Sequence, residues 1–446
     1  MNFKMKQTLI SLLLFLTLGN LAKAQDLVVI EGFSNQHLSI VMNDSVYSNV
    51  MAVGEVANKV VSVEALTFVV NSGSFPNGDG ARLLKIPNFE LCNAALSGTQ
   101  AIPDTIDLPN GSNPWDLEVD YGVWGAYTGY LSALNDNQVY KISLLTGVVL
   151  DTVDVGANPQ GLLVRGDQLF VANSGFGSNN TVSIIDLTTF TVSDTVIVHD
   201  NPQDLAYFNG KIYTVCSGAF GDSSGMVIAF DEQTHAITDT FLIGNSPGSL
   251  AIMDNGIGFC GDAFAATNAG VYSFDAVNGS VIQDAQTLPT IAGGFSIKDI
   301  EQDLTVSDFN TINFYDPSNL SLVNTLNFAN SIQDFDLISL LVDDISENEG
   351  SFKKEIDFQL QQNFPNPFNP TTTISYEFEV ANFTKSKLTI FNILGEEVQE
   401  FVLTQPQGSV VWNGTNKNGN SVSSGVYYYS LSNGKFTQTK RMTLLK

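Results

Sequence analysis

Seven aromatic residues recur at comparable places along the chain: Phe33, Phe75, Tyr127, Phe176, Phe220, Phe264 and Phe309. Each lies in a stretch rich in Gly, Asn and Ser between two apolar runs. Aromatic faces flanked by amides and hydroxyls suit sugars or extended peptides. A ring present in every unit of a repeat equally suits packing between units, so a binding ring and an interblade filler both stand. A second set is acidic. Asp116, Asp204 and Asp334 each precede the apolar residue that closes a repeated turn motif, where Gly161, Ser249 and Ser296 stand in other copies. Three carboxylates with carbonyls and water would suit Ca²⁺, the one cofactor this chain suggests, which takes six to eight oxygens. The other role for an Asp at that place is capping the start of a strand.

Other chemistry is thin. His37, His199 and His235 occupy different repeat positions, so no His cluster or His-centred triad emerges. Cys92, Cys216 and Cys260 are an odd number without zinc or disulfide spacing, and are expected as buried free thiols. No phosphate loop, Gly-x-Ser-x-Gly or metalloprotease helix motif is present.

The elements that would carry these residues follow from a repeat of about 45 residues. Its marker is a turn and an apolar strand start: Asn113-Pro-Trp-Asp-Leu117, Asn158-Pro-Gln-Gly-Leu162, Asn201-Pro-Gln-Asp-Leu205 and Ser246-Pro-Gly-Ser-Leu250. Weaker copies lie at Asn58 to Val61, Gly294 to Ile297 and Ile332 to Phe335. A second marker has apolar residues at the first and fourth places of a strand: Leu38 and Val41, Leu83 and Ile86, Val139 and Ile142, Val182 and Ile185, Val227 and Phe230, Val271 and Phe274, Ile312 and Tyr315. In the last four copies Asp186, Asp231, Asp275 or Asp316 follows, suited to accept hydrogen bonds from turn amides. Four strands per unit and seven units predict a seven-bladed β-propeller. Residues 27–57 supply three strands of one blade and residues 331–342 its missing first strand, which closes the ring.

Units such as Leu169-Phe-Val-Ala-Asn-Ser followed by Thr181-Val-Ser-Ile-Ile-Asp186 resemble the YVTN-type seven-bladed propellers, related to surface-layer and quinoprotein-like propellers. The resemblance covers residues 26–342. It implies the fold and leaves function open, because such propellers include binding proteins, lactonases and lyases.

Charge separates the chain into parts. The 446 residues carry a net charge of −27, yet residues 25–350 hold 7 basic against 39 acidic residues and residues 351–446 hold 9 against 7. Nucleic acid is therefore not an expected partner, since phosphate binding needs clustered Lys and Arg. Residues 343–357 have the polar character of a linker. Beyond them, Asn363-Phe-Pro-Asn-Pro-Phe-Asn-Pro370, Leu388 to Gly395, Val411-Trp-Asn-Gly414, Ser424-Gly-Val-Tyr-Tyr-Tyr429 and Lys440 to Lys446 resemble the type A sorting domain of type IX secretion substrates. The motif residues are Asn363, Pro365, Asn366, Pro367, Phe368, Asn369, Pro370, Gly395, Trp412, Gly414, Gly425, Tyr427 and Lys446. Alternating apolar residues and tight Gly turns predict an Ig-like β-sandwich over residues 358–446. The resemblance implies recognition by the outer-membrane translocon, then removal of the domain and release or surface attachment of the cargo.

The start of the chain fits the same route. Lys4 and Lys6, the apolar run Leu9 to Leu18 and Ala22-Lys-Ala24 form a signal peptide over residues 1–24, too short to span a membrane. No later segment is long enough to span either, so no transmembrane helix is expected in the mature chain. The expectation is an all-β protein, a seven-bladed β-propeller plus a C-terminal Ig-like β-sandwich, exported through the periplasm and secreted or held at the outer-membrane surface. It binds an extracellular protein or glycan; the alternative is a propeller lactonase, lyase or glycan-degrading enzyme.

Overall fold

A computed structural model describes residues 26–32, 35–63, 65–74, 80–120, 128–219, 221–262, 265, 267–338, 358–361, 363–378, 386–392, 397–432 and 437–445. The signal peptide and linker expectations fall outside these residues. Up to residue 338, the described residues form seven four-stranded antiparallel sheets, the blades of a β-propeller. Blades 3, 4 and 5 illustrate the pattern, with first strands Pro114–Asp120, Pro159–Arg165 and Pro202–Phe208. Each begins at the proline of the repeated turn, and the preceding Asn113, Asn158 and Asn201 have φ of 50°, 49° and 61°. Asn tolerates this left-handed conformation better than most residues, which accounts for its recurrence before the strand.

Blade 1 is shared between distant parts of the sequence. Ile332–Leu337 pairs antiparallel with Leu27–Glu31, from Leu27 opposite Leu337 to Glu31 opposite Ile332. Gln36–Met42 and Ser45–Gly54 complete the sheet. Ala57, placed in the first blade by the sequence alignment, instead begins Ala57–Val63, the first strand of blade 2.

The chain falls into two compact bodies: the described residues up to Thr67 with Ile86–Ile102 and Ala206–Leu340, and Phe68–Lys85 with Pro103–Leu205 and Leu341–Lys446. Within each, apolar clusters join neighbouring blades. In the first body Tyr213, Val227, Phe241, Cys260, Tyr272 and Phe274 unite blades 5 and 6. In the second, Tyr130, Val139, Leu162, Leu169, Val171 and Ile185 unite blades 3 and 4. Middle strands such as Gln168–Asn173 are buried on both faces, which is why the third-strand motif carries apolar residues three apart as well as alternating ones. Outer strands such as Thr191–Ile197 are mostly exposed and polar.

The four aspartates after the third strands act as expected of turn residues. Asp186 Oδ1 accepts the amides of Thr188 and Thr189 at 2.8 and 2.9 Å, and Asp231 Oδ1 those of Gln233 and Thr234 at 3.1 and 2.7 Å. Asp275 and Asp316 repeat the arrangement. These hydrogen bonds, led by the amides of Thr189, Thr234 and Asn278 and by the Ser318 hydroxyl, hold all four carboxyls below their ordinary 3.8. A depressed folded pKa gives stability that is present above 3.8 and lost as pH falls through the folded value. Replacing all four with Asn, which keeps an uncharged acceptor, is expected to flatten the fall of melting temperature between about pH 5 and 3. An unchanged acid slope would remove these turns from the account of acid stability.

One element was not anticipated. Blade 2 carries a helix, Asn88–Ser97, between its third and fourth strands, closed by Gly98 at φ 68°. Asn88, Leu91, Cys92 and Ala94 form its buried side. No described helix is long and apolar enough to cross a membrane.

The C-terminal residues form two sheets. Phe358–Leu360, Thr372–Phe378 and Gln407–Trp412 make one; Glu397–Val402, Lys387–Phe391, Gly425–Ser432 and Thr437–Leu444 make the other. One core joins them: Leu360, Ile374 and Trp412 from the first sheet meet Leu388, Ile390, Tyr427, Tyr429, Met442 and Leu444 from the second. This is a β-sandwich.

Candidate functional site

Of the seven recurrent aromatics, Phe176 and Phe309 lie in described segments; Phe33, Phe75, Tyr127, Phe220 and Phe264 lie outside them. Both described rings are exposed, Phe176 by 57% and Phe309 by 58%. Neither fills an interblade core.

Phe176 sits in a turn between the second and third strands of blade 4, amid three successive left-handed residues: Gly175, Phe176 and Gly177 at φ 55°, 49° and 87°. A left-handed bulky residue costs about 1–2 kcal/mol and persists where its surroundings overdetermine it. Here the surroundings do so. The Ser174 amide and hydroxyl both donate to Asn158 O, and the Gly175 amide donates to Ala157 O at 2.9 Å. Ser178 Oγ donates to Gly175 O, and the Asn179 side chain accepts the Asn180 amide and the Thr181 hydroxyl. The loop thus fixes an outward phenyl ring among amides and hydroxyls. Phe309 stands edge-on to Phe295, with centroids 5.5 Å apart, and its amide donates to Asp308 Oδ1.

The three candidate metal ligands each meet a strand amide. Asp116 Oδ2 accepts the Leu162 amide at 2.9 Å, tying the first strand of blade 3 to that of blade 4. Asp204 Oδ1 accepts the Leu205 amide at 2.9 Å. Asp334 Oδ2 accepts the Val60 amide at 3.1 Å, while its Oδ1 takes the Ser296 hydroxyl and lies 3.1 Å from Lys298 Nζ. Asp336 nearby accepts the Ser62 amide, and desolvation pushes its carboxyl above the usual range against the pull of Lys298. Among the described residues no three His, Cys, Asp or Glu side chains gather as an ion site. Each of the three aspartates thus offers at least one carboxylate oxygen to a strand amide, the other role the sequence allows at that place.

Serines stitch neighbouring blades together as well. Ser72 Oγ donates to Pro114 O at 2.5 Å and Ser217 Oγ to Pro247 O at 2.8 Å. In both cases a Ser-Gly segment meets the proline turn of the next blade.

The histidines do not assemble. His37 Nε2 lies 3.8 Å from the buried Glu31, and His235 occupies a left-handed turn position at φ 57°. The three cysteines are free and buried; burial pushes the Cys92 thiol up to about 11. Such a thiol stays protonated and unreactive.

In the C-terminal sandwich six of the thirteen motif residues, Asn363, Phe368, Trp412, Gly414, Gly425 and Tyr427, serve the fold. Trp412 is 1% exposed, its ring 5.6 Å from Phe368 and 5.2 Å from Tyr427, and its Nε1 donates to Thr415 O. Tyr427 Oη donates to Ser423 O, just before the strand that Gly425 begins. Gly414, at φ 70°, leaves room for Leu444 and Pro370 O, each 3.3 Å from where a Cβ would stand. Asn363 is buried: its amide donates to Tyr429 Oη at 2.7 Å and its Nδ2 to Thr372 Oγ1 and Pro365 O. Burial pushes the Tyr429 hydroxyl up to about 12, so it remains a neutral donor, to Gln361 O. Pro365, Asn366, Pro367, Asn369 and Pro370 are exposed, whereas Gly395 and Lys446 lie outside the described residues.

Comparison with known proteins agrees with this anatomy at one end of the chain. Residues 362–444 match the family model described as a secretion system C-terminal sorting domain. No curated protein matches the chain significantly. Similar solved structures include hydrazine synthase from Kuenenia stuttgartiensis, 13% identical over 58% of this chain and 75% of that one, with a TM-score of 0.46. Another is AztD from Citrobacter koseri, 11% identical over 70% of this chain and 97% of that one, with a TM-score of 0.43. PorZ of Porphyromonas gingivalis, an essential surface component of its type-IX secretion system, is 11% identical over 92% of this chain and 63% of that one, again at 0.43. From the sheets and the family match together, residues 362–444 are a secretion system C-terminal sorting domain that follows a seven-bladed β-propeller in the chain.

Proposed function

We propose that this chain is a secreted or cell-surface binding protein whose propeller holds an extracellular glycan or peptide on aromatic loops. Its C-terminal domain directs it through type IX secretion after a signal peptide, residues 1–24, has taken it to the periplasm. The observation that carries the binding reading is Phe176: an outward ring held in an unfavourable backbone conformation by a densely hydrogen-bonded loop. Stacking on a sugar face or an extended peptide is the chemistry such a ring offers.

The test is a glycan and peptide array probed with the full chain and its variants. Phe176→Ala and Phe309→Ala are expected to lower binding while shifting stability by under about 0.5 kcal/mol each. Phe176→Gly should raise the melting temperature, because it relieves about 1–2 kcal/mol of left-handed strain, and should still lose binding. Binding undiminished in both alanine variants would defeat the proposal. Conversion of an array ligand into products would replace it with the lyase or hydrolase reading. For the export half, a chain ending near residue 345 should remain in the periplasm of the native host.

A further inference from the structure

Among the described residues Thr437–Leu444 is the last strand in its sheet and pairs with one strand only, Gly425–Ser432, over eight residues. Its other edge is partly closed by a short strap from the proline-rich motif. The Phe368 amide donates to Thr443 O at 3.0 Å, and the Leu445 amide donates back to Phe368 O at 2.8 Å. Asn366 Oδ1 accepts the Thr443 amide at 2.9 Å. Thr443 therefore turns both backbone groups outward. In an antiparallel strand alternate residues do the same, so Thr437, Thr439 and Arg441 present their amides and carbonyls to that edge.

The strap cannot extend along them. Pro365 and Pro367 lack the amide hydrogen that further pairing requires, so its single bridge is at Phe368. Phe358–Leu360 of the other sheet comes near Thr437–Leu444, but among the described residues no strand pairs with Thr437–Arg441 on that side. Natural proteins ordinarily cover or blunt such an edge. Among the described residues, half of this edge is paired and half is unpaired.

We propose that the open edge at Thr437–Arg441 is where the export machinery reads the sorting domain, by adding an extended strand of its own, and that Asn366 is a positioning residue that fixes where this addition starts. The inference rests on the sorting reading of this domain. Charge selects the occupant. Lys440 and Arg441 lie in the open stretch, so pairing with a second copy would set basic residues against basic ones, which destabilises a sheet. An acidic strand from the machinery complements them, its backbone supplying affinity as in other strand additions.

The experiment uses the full chain in the native host, reading the exported fraction alongside amide exchange on purified protein. Thr439→Pro removes an outward amide that the domain's own pairing does not use, so the fold should persist while export falls about tenfold, equivalent to about 1.4 kcal/mol of lost recognition. Asn366→Ala should speed exchange at Thr443 and lower export similarly. Asn366→Asp keeps the acceptor oxygen and should restore both. Normal export of a folded Thr439→Pro chain would overturn the edge reading. If Asn366→Asp fails while Thr443 stays protected, the side chain itself is read and the positioning role is overturned. Normal export after removal of residues 358–446 would instead defeat the sorting reading itself.

Discussion

Replacing Trp412 with alanine is expected to unfold the sorting domain and abolish export. The indole fills the centre of the sandwich between Phe368 and Tyr427, and its one N–H donates to Thr415 O. Truncating a buried Trp costs about 3–5 kcal/mol, because a cavity remains that the surrounding residues close only in part. Against a typical total of about 5–15 kcal/mol, that is enough to populate the unfolded domain. Trp412→Phe retains most of the packed volume and should keep a measurable exported fraction. Limited proteolysis of the full chain would follow the loss: the variant should be cut within residues 358–446 while fragments of the propeller survive. Wild-type export and protease resistance in Trp412→Ala would show that the core tolerates the cavity.

Gly261→Val is expected to be strongly destabilising to the propeller. A Cβ at Gly261 would stand 2.3 Å from Gly294 O and 2.8 Å from Gly294 Cα and Ile297 Cδ1. Two of those atoms are backbone and cannot rotate away, so the segment leading from blade 6 into blade 7 would have to shift. Overpacking of this kind costs about 3 kcal/mol or more. At roughly 2–4 °C per kcal/mol, melting should fall by about 6–12 °C. Gly248, in a nearby turn, has open space around its missing Cβ, and Gly248→Ala should melt within about 2 °C of the parent. Equal melting of Gly261→Val and the parent would mean that the close approach of these segments carries no energetic weight.

Much of this fold could be read from residue types because the chain states the same instruction repeatedly. Asn before Pro marks a left-handed turn into a first strand, and Asp after the third strand accepts turn amides; both reappear with nearly the same geometry in successive blades. The shared blade was legible because its first strand was missing at one end of the pattern and present at the other. The helix Asn88–Ser97 was not found, although its buried Leu91, Cys92 and Ala94 have helical spacing and Gly98 marks its end. A ten-residue helix within a strand-rich repeat gives too brief a periodic signal to compete with that repeat. The surroundings of the acidic residues were not legible for another reason. Sequence places Asp116, Asp204 and Asp334 at equivalent positions, and each gives at least one oxygen to an amide of its own or a neighbouring first strand. Which amides reach a carboxylate depends on interblade spacing, which no local pattern records. The exposure of Phe176 was undetermined for the same reason: recurrence fixes its position and leaves its direction open.

The joining of Leu27–Glu31 to Ile332–Leu337 also governs when the molecule can finish folding. Asn330 donates to Glu31 across 299 residues of sequence, whereas neighbouring strands of a blade are joined by turns of a few residues. Lengthening a loop from about 45 to about 300 residues adds only about 1.7 kcal/mol of closure entropy, so the seam is thermodynamically inexpensive. Kinetically it is the most non-local contact in the ring, and such contacts form late. A chain emerging from its N-terminus can complete blades 2 to 7 one after another, yet blade 1 must wait as three strands until residue 337 arrives. Circular permutation, with new ends opened between blades 4 and 5 and the old ones linked, would turn this last step into a local one. It should speed refolding without changing the blades themselves.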